Sequence, residues 1–349
     1  MILEIFCKVV LPLANRVCEA TLARRRHLAS TKCELSVRYV GAKSESVSRV
    51  DPVQGGRTYG EPEPVASRPC AKGGRREKEN HMKGYIHSIE SFGSADGPGI
   101  RFIIFLKGCA LRCKYCHNVD TWVMKNNEFP AKVRLATGEV AEISVDHAFK
   151  DDIREVEEIL DMAERYRNYW GETGGITVSG GEPLLQADFL LELLTEAKKR
   201  GMNTCIDTAG QPFISEGAAF EKIQDIIEKT DLVLLDIKHI DPEEHKRLTG
   251  HSNENILEFA KYLDSIHKPV WIRHVLVPGI TDVDEYLEET ADFLSTLSNV
   301  ERIDVLPYHS MGVYKWKELG LPYALEGVET PSKERVENAK RILSRALNK

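Results

Sequence analysis

Residues 101–118 read RFIIFLKGCALRCKYCHN, an apolar run followed directly by three closely spaced cysteines. Strand-forming side chains fill Arg101–Lys107, and Gly108 marks the point where the chain can leave a strand. The next residues combine thiols with basic and aromatic side chains. This stretch therefore predicts a buried strand that ends in a loop able to hold a metal centre.

The same alternation of strand and helix continues to the C terminus. Six apolar, β-rich runs occur at Arg101–Lys107, Gly175–Ser179, Asn203–Asp207, Leu232–Ile237, Val270–Val277 and Ile303–Leu306. Helical patterns follow them at Asp152–Tyr169 and at residues 187–200, 218–229, 253–265, 284–297 and 332–347. Such alternation implies parallel strands joined by right-handed crossovers. We predict an α/β fold, a partial (β/α)6 TIM-like barrel with outer helices, and keep a doubly wound sheet as the alternative topology.

The first 81 residues differ in composition from the rest. Residues 41–80 are rich in glycine, proline, serine and charge, and they contain too few apolar side chains to offset the entropy of ordering. We predict that residues 1–81 form a disordered extension, or precede the true start, and that residues 82–349 form the catalytic domain. The extension is basic, so the remainder is more acidic than the net charge of −7 of the whole chain.

Charge, hydropathy and cysteine usage exclude several classes of function. An acidic body argues against nucleic acid as the main partner, because phosphate binding requires a basic surface. No apolar run approaches the length of about 18 residues that a membrane span requires. The chain has eight cysteines but is long and has no convincing secretion signal. We therefore expect reduced thiols and a cytoplasmic location.

The cysteines Cys109, Cys113 and Cys116 have the spacing C-x3-C-x2-C. Soft thiolates select iron–sulfur clusters or zinc. Three thiolates on one loop can bind three corners of a four-iron cluster and leave the fourth iron free to take a substrate. The alternative is a zinc site made by the same cysteines and His117. The spacing alone leaves both interpretations open.

A second motif, SGGEP at residues 179–183, follows the second predicted strand. Paired glycines let a backbone approach a ligand closely. In parallel α/β folds, ligands gather at the carboxyl ends of the strands. We therefore expect Gly180, Gly181 and Glu182 to lie beside the cysteines at one edge of the sheet.

Together, C-x3-C-x2-C and GGEP resemble the radical S-adenosylmethionine (SAM) superfamily. Six further segments narrow the resemblance to the family of pyruvate formate-lyase activating enzymes: Ser94–Phe102, Tyr115–Asn118, Asp120–Trp122, Leu235–Lys238, Val270–Arg273 and Leu306–His309. The resemblance covers almost all of residues 82–349 and none of residues 1–81. Because it involves many separate segments, it favours the iron–sulfur interpretation over zinc.

The resemblance implies an oxidoreductase that activates pyruvate formate-lyase under anaerobic conditions. A [4Fe-4S] cluster would cleave SAM reductively to a 5′-deoxyadenosyl radical, which takes a hydrogen from a glycine of the partner and leaves a glycyl radical. Flavodoxin or ferredoxin would supply the electron. The alternatives are an activase of another glycyl-radical enzyme and, more remotely, a non-catalytic zinc-binding protein.

The resemblance also assigns roles to residues of this sequence. Cys109, Cys113 and Cys116 would bind the cluster. SAM would be bound by Tyr115, Cys116, His117, Gly180, Gly181, Glu182, Asp236, Ile237, Lys238, Arg273 and His309. Asp207, Thr208 and Asp236 would hold a monovalent cation with the Leu234 carbonyl, and such hard oxygen ligands suit an alkali ion. Asp96 and Gly97 would contact the substrate peptide.

Overall fold

A computed structural model describes residues 82–124, 131–143 and 152–347 of the chain. Its strands are β1 (Lys83–Gly93), β2 (Arg101–Leu106), β3 (Ala131–Arg134), β4 (Val140–Ile143), β5 (Asp152–Glu155), β6 (Gly175–Gly180), β7 (Asn203–Thr208), β8 (Leu232–Asp236), β9 (Val270–Leu276) and β10 (Val300–Pro307). The predicted extension, residues 1–81, lies outside the described residues.

The α-helices alternate with the later strands. They are α1 (Val156–Glu164), α2 (Ala187–Lys199), α3 (Gly217–Glu228), α4 (Pro242–Thr249), α5 (Glu254–Ser265), α6 (Asp284–Ser295), α7 (Val313–Glu318) and α8 (Lys333–Leu343). Short 3-10 turns occur at Val119–Thr121, Arg167–Tyr169, Pro183–Gln186 and Ser344–Leu347. Among these described helices, none combines the length and apolar character needed to cross a membrane.

The main sheet confirms the predicted α/β architecture. Its eight strands lie in the order β10-β9-β8-β7-β6-β2-β1-β5, and β2 and β6–β10 are mutually parallel. The parallel strands are neighbours in chain order, without the reversal that defines a doubly wound sheet. Over the described residues the two edge strands are not hydrogen-bonded to each other. This is the strand order of an open, partial barrel.

Two strands at the β2 edge are absent from the sequence prediction. β1 pairs with β2 in antiparallel register, and β5 pairs with β1. The predicted helix Asp152–Tyr169 is therefore wrong at its start, because Asp152–Glu155 belong to β5 and α1 begins at Val156. The free edge of β1 offers backbone hydrogen bonds to these residues, and this tertiary pairing outweighs their helical periodicity.

The main core lies between the sheet and the helices that cover one of its faces. Apolar residues of α2, such as Leu190 and Leu194, pack in one buried cluster with strand residues such as Ile206 and Leu235. The opposite strand positions face the barrel interior, where Cys205, Leu232 and Leu234 form a small separate cluster. Because side chains alternate along a strand, residues 207, 236 and 273 lie on the same interior face.

A fully buried arginine joins three of the parallel strands at the interior. Arg101 of β2 donates to Thr177 Oγ1 at 2.9 Å and to Asn203 Oδ1 at 2.7 Å. It also binds the carbonyls of Thr173 and Ile176. The Thr177 hydroxyl in turn donates to the Asp96 carbonyl at 2.7 Å. This network fixes the loop between β1 and β2 against the sheet.

Replacing the side chain of Arg101 should lower the free energy of unfolding far more than replacing an exposed arginine. Arg101→Met leaves several buried oxygens without a donor, at roughly 1–3 kcal/mol each, so we expect a loss of about 3 kcal/mol or more. Arg302→Met removes a half-exposed partner of Asp304 and should cost at most about 1 kcal/mol. Urea unfolding followed by circular dichroism compares the two variants. Equal losses would contradict a structural role for the buried network.

Candidate active site

A cavity of about 270 Å³ lies at the carboxyl ends of the parallel strands. Its lining includes residues from the loop after β2 and from the ends of β6, β8, β9 and β10. Eleven of the predicted site residues line it: Cys109, Cys113, Tyr115, Cys116, His117, Gly180, Gly181, Asp236, Lys238, Arg273 and His309. The structure thus brings together segments that lie as much as 200 positions apart in sequence. Six other predicted residues do not line the cavity: Asp96, Gly97, Glu182, Asp207, Thr208 and Ile237.

The three cysteines lie on a loop that is held by backbone hydrogen bonds on both sides of Cys113. The amide of Arg112 donates to the Thr249 carbonyl at 2.7 Å, and the amide of Lys114 donates to the Leu248 carbonyl at 3.0 Å. Helix α4 therefore supplies its last carbonyls to the loop. These carbonyls have no partner within the helix, so the loop also satisfies the helix terminus.

All three cysteines are free thiols; Cys113 is buried, and Cys109 and Cys116 are partly buried. Burial raises the pKa of all three, that of Cys116 to about 12, and the charge of one thiolate would further raise the pKa of its neighbours. Three thiolates cannot coexist here without compensating positive charge, which bound metal supplies because metal binding displaces the thiol protons. The donor set therefore fits a metal centre.

A single zinc ion would need a fourth ligand beside the three thiolates. Zinc needs its ligands to converge on one point, whereas a cluster can take each thiolate on a different iron. His117, the proposed fourth zinc ligand, uses its Nε2 to bind the carbonyl of His309 at 3.0 Å.

Gly180 and Gly181 allow the β6 loop to run close to the β2 loop. A Cβ on Gly180 would lie 2.2 Å from the Leu106 carbonyl oxygen, and one on Gly181 would lie 2.2 Å from the Gly108 carbonyl oxygen. Gly180 also has a φ of 122°, which side chains rarely allow. The glycine pair thus sets the approach of two loops that both line the cavity.

Glu182 does not line the cavity, but it connects two of the strand ends that surround it. Its carboxylate accepts hydrogen bonds from the Thr208 hydroxyl at 2.5 Å, the Ala209 amide at 3.0 Å and the Leu184 amide at 3.1 Å. It thereby ties the end of β6 to the end of β7. Burial raises the pKa of Glu182 to about 7, although these donors favour the charged form. The predicted cofactor ligand is placed here as a brace between two strand ends.

Two groups of ion pairs lie near the cavity: Lys238 with Asp236, and Arg273 with Asp207 and Asp96. Lys238 binds Asp236 at 2.8 Å, and its ammonium group lies 5.9 Å from the centre of the Tyr115 ring. Burial alone would lower the pKa of Lys238, but the carboxylate of Asp236 and other nearby acidic groups raise it well above its ordinary value. The lysine therefore keeps a full positive charge at the cavity wall.

Arg273 links the second ion-pair group to the loop after β1. Its guanidinium binds Asp207 Oδ2 and Asp96 Oδ1, both at 2.9 Å, and the carbonyl of Ala95 at 3.0 Å. Burial opposes the charge, but the surrounding carboxylates raise the pKa of Arg273. The predicted cation residue Asp207 and the predicted peptide residue Asp96 thus share one arginine. The other predicted cation residue of this strand, Thr208, donates to Glu182.

Several buried polar atoms around the cavity have no hydrogen-bond partner within the described part of the chain. The hydroxyl of Tyr115 and Nδ1 of His309 line the cavity itself, and Oδ1 of Asp207 lies behind it. Buried polar groups in proteins almost always find partners. These atoms are consistent with a polar ligand that completes the site.

Other residues at the site carry no motif of their own. Helix α7 packs on the second half of the cysteine loop, where Trp316 Nε1 donates to the Cys116 carbonyl at 2.9 Å. Lys315 donates to Asn118 Oδ1 and Asp120 Oδ1, both at 3.1 Å. The sequence prediction has no helix at α7, because six residues with two lysines give no clear periodicity.

Comparisons with known proteins agree with this geometry. Residues 103–294, which include the cysteine loop and the ends of β2 and β6–β9, match the family described as the Radical SAM superfamily. The chain is 51% identical over 269 residues to the pyruvate formate-lyase-activating enzyme of Streptococcus mutans serotype c, which covers 76% of this chain and 94% of that protein. It is 47% identical over 261 residues to the enzyme of that name from Listeria monocytogenes serovar 1/2a, which covers 74% of this chain and 96% of that protein.

A solved structure is also similar to this chain. A crystallised domain of a pyruvate-formate lyase-activating enzyme from Bacteroides vulgatus has 27% sequence identity and a TM-score of 0.41. The similarity covers 50% of this chain and 94% of that chain.

Ionisation of Glu182 should oppose folding as the pH rises. Its pKa is higher in the folded protein than the ordinary value of 4.5, so the folded state binds more protons between these two pKa values. The stability that the raised pKa of Glu182 contributes is therefore fully present below pH 4.5 and is lost as the pH rises through about 7. The Glu182→Gln variant lacks this contribution.

We expect the unfolding free energy of the parent, relative to Glu182→Gln, to fall by up to about 3 kcal/mol across this range. Urea unfolding of the metal-free proteins at several pH values measures the difference. A flat difference for Glu182→Gln would contradict the raised pKa.

Proposed function

Because the chain belongs to the pyruvate formate-lyase-activating enzyme family of the radical SAM superfamily, we propose that it activates pyruvate formate-lyase under anaerobic conditions. The observation that carries the proposal is a cavity lined at once by three free thiols, a partly buried lysine and paired glycines. When bound, a [4Fe-4S] cluster and SAM supply a 5′-deoxyadenosyl radical that takes a hydrogen from a glycine of the partner. The residues of this chain bind, orient and shield those groups.

Cys109, Cys113 and Cys116 hold the cluster in this proposal. They line one side of the cavity, and the cavity continues to Lys238 and Arg273. With these three ligands, one iron of the cluster would have no protein ligand, and the methionine end of SAM would bind there. Lys238 neutralises the carboxylate of SAM, since its charge is retained despite burial. Gly180 and Gly181 offer backbone groups at the same wall, and Glu182 keeps this loop in position.

The adenosine end of SAM lies among Tyr115, His117 and His309. The ring centres of His117 and His309 are 4.0 Å apart, and the ring planes meet at 63°. The unpartnered Tyr115 hydroxyl and His309 Nδ1 provide polar contacts for the nucleoside. Ile237 is buried behind this region and contributes its backbone to the SAM site. A monovalent cation on Asp207, Thr208 and Asp236 would use the unpartnered Oδ1 of Asp207.

The substrate is a loop of the partner enzyme. An open sheet leaves room at the strand ends for an extended peptide, which a closed barrel would exclude. Asp96 and Gly97 contact this peptide, and Arg273 connects Asp96 to the cavity. Flavodoxin or ferredoxin supplies the electron. The described cysteines are all unpaired thiols, which suits a cytoplasmic enzyme.

The test of the function combines two measurements on the anaerobically reconstituted and reduced protein. The first is formation of 5′-deoxyadenosine from SAM. The second is a glycyl-radical EPR signal after incubation with pyruvate formate-lyase, with an anaerobic ribonucleotide reductase as the matched alternative partner. A radical on pyruvate formate-lyase supports the proposal. A radical on the reductase alone would make the chain the activase of another enzyme, and stoichiometric zinc without iron would end the catalytic proposal.

The cluster should depend on Cys113 and not on Cys205. Cys113→Ala removes one of the three ligands, so the reconstituted variant should lose iron and at least about 100-fold of its rate of 5′-deoxyadenosine formation. Cys205→Ala removes a thiol that is equally buried but lies outside the cavity lining. It should keep the parent's iron content. Iron and sulfide analysis measures both, and unchanged cleavage in Cys113→Ala would refute the assignment.

Lys238 should contribute directly to SAM affinity. Lys238→Met removes a charge-assisted contact worth roughly 1.5–3 kcal/mol, so we expect the Kd for SAM to rise about 10- to 100-fold. Lys268, whose ammonium group donates to the Thr230 carbonyl away from the cavity, provides the control Lys268→Met. Equilibrium binding to the oxidised, cluster-loaded proteins gives both Kd values. Equal affinity in Lys238→Met and the parent would exclude this contact.

A further inference from the structure

Trp122 is the first residue after the 3-10 turn Val119–Thr121, which follows the cysteine loop. It is 4% exposed, and its carbonyl accepts a hydrogen bond from the Cys109 amide at 3.3 Å. The indole ring is held on two sides. Trp316 contacts it edge to face with ring centres 5.2 Å apart, and the Arg112 guanidinium lies 4.8 Å from the ring centre. Its orientation is therefore set by packing.

The indole N–H of Trp122 has no hydrogen-bond partner of good geometry within the described residues. Leaving a buried donor unpaired costs roughly 1–3 kcal/mol, so such a group usually marks an interaction that the bare protein does not complete. Trp122 lines the cavity and belongs to a buried apolar cluster that includes Val119 and Trp316, and Cys116 packs against this cluster. Cys116 also lines the cavity, so the indole and this proposed ligand share both the apolar cluster and the cavity lining.

The neighbouring Trp316 makes a useful contrast. Its indole N–H is satisfied by the backbone carbonyl of the same cysteine, at 2.9 Å. The two rings therefore belong to one apolar cluster beside Cys116, but only one of them has an unused donor. If both served only for packing, there would be no reason for the N–H of Trp122 to stay unpaired beside a sulfur.

We propose that the indole N–H of Trp122 donates a hydrogen bond to the Cys116 thiolate in the cluster-loaded protein and raises the reduction potential of the cluster. Reduction adds one electron, and part of that negative charge spreads onto the sulfurs. A donor aimed at a sulfur therefore stabilises the reduced state more than the oxidised state. The inference rests on the cluster proposed above, and it gives Trp122 a direct contact with a cluster ligand.

This role fits the demands of the proposed reaction. An iron–sulfur cluster that reduces a sulfonium must have a low potential, yet a soluble electron carrier must still be able to reduce it. Arg112 donates to the Cys109 carbonyl at 2.5 Å, and its positive charge acts in the same direction as the N–H of Trp122. A hydrogen bond to one sulfur adjusts the potential locally, because it leaves the ligand set and the SAM-binding wall unchanged.

The test is an EPR-monitored redox titration of the reconstituted protein without SAM. Trp122→Phe keeps an aromatic ring but removes the N–H. Its reduced-to-oxidised ratio at a fixed potential should fall about tenfold, which is about 59 mV for a one-electron couple. Trp316→Phe removes an N–H bound to a carbonyl, so its shift should be much smaller. Equal shifts in the two variants, or none in Trp122→Phe at parent iron content, would overturn the inference.

A second measurement keeps the test valid if Trp122→Phe fails to fold or to take up iron. Parent protein labelled with 15N in the indole ring should show a 15N coupling to the reduced cluster by electron–nuclear double resonance. The coupling should persist in Trp170→Phe, Trp271→Phe and Trp316→Phe, the other three tryptophans of the chain. Its absence from cluster-loaded parent protein would overturn the inference, whereas a parent without iron would instead refute the proposed cluster.

Discussion

Three thiols on one buried loop impose the constraint on which the rest of the site depends. Burial drives each thiol towards its neutral form, and ionisation of Cys113 makes ionisation of Cys109 and Cys116 harder. Such a loop is stable as a set of thiolates only when metal supplies the compensating charge. The surrounding structure serves this requirement. Backbone bonds from α4 fix the loop on both sides of Cys113, and α7 and the β6 glycines hold its second half and its edge.

The positive charges of the cavity are stabilised in a similar way, but with the opposite sign. Lys238 and Arg273 are partly buried cations that line the cavity, and nearby carboxylates keep each of them charged. Strand geometry places Asp236 and Arg273 on the interior face, because each lies two residues after an interior position of its own strand. A zwitterionic ligand between the thiol wall and this cationic wall would find partners for both of its ends.

Much of this arrangement is readable in the sequence. The six parallel strands were recognisable because each is an apolar run followed by a helical pattern, and the fold then places the strand ends together. The edge strand β5 cannot be recognised in the sequence, because Asp152–Glu155 have a helical periodicity. Only their pairing with the free edge of β1 makes them a strand. Motif resemblance predicts Glu182 as a SAM-binding residue, but it does not predict the contacts that its carboxylate makes. Only the folded chain brings its carboxylate to Thr208 and Ala209, away from the cavity.

The contact between Trp316 and the Cys116 carbonyl joins residues that are 200 positions apart in the chain. During synthesis the cysteine loop therefore emerges long before the helix that supports it. Contacts of such high sequence separation form late in folding. The machinery that delivers iron and sulfide would then meet a site whose final shape appears only once the last third of the polypeptide has left the ribosome. Maturation of the metal centre would thus follow translation.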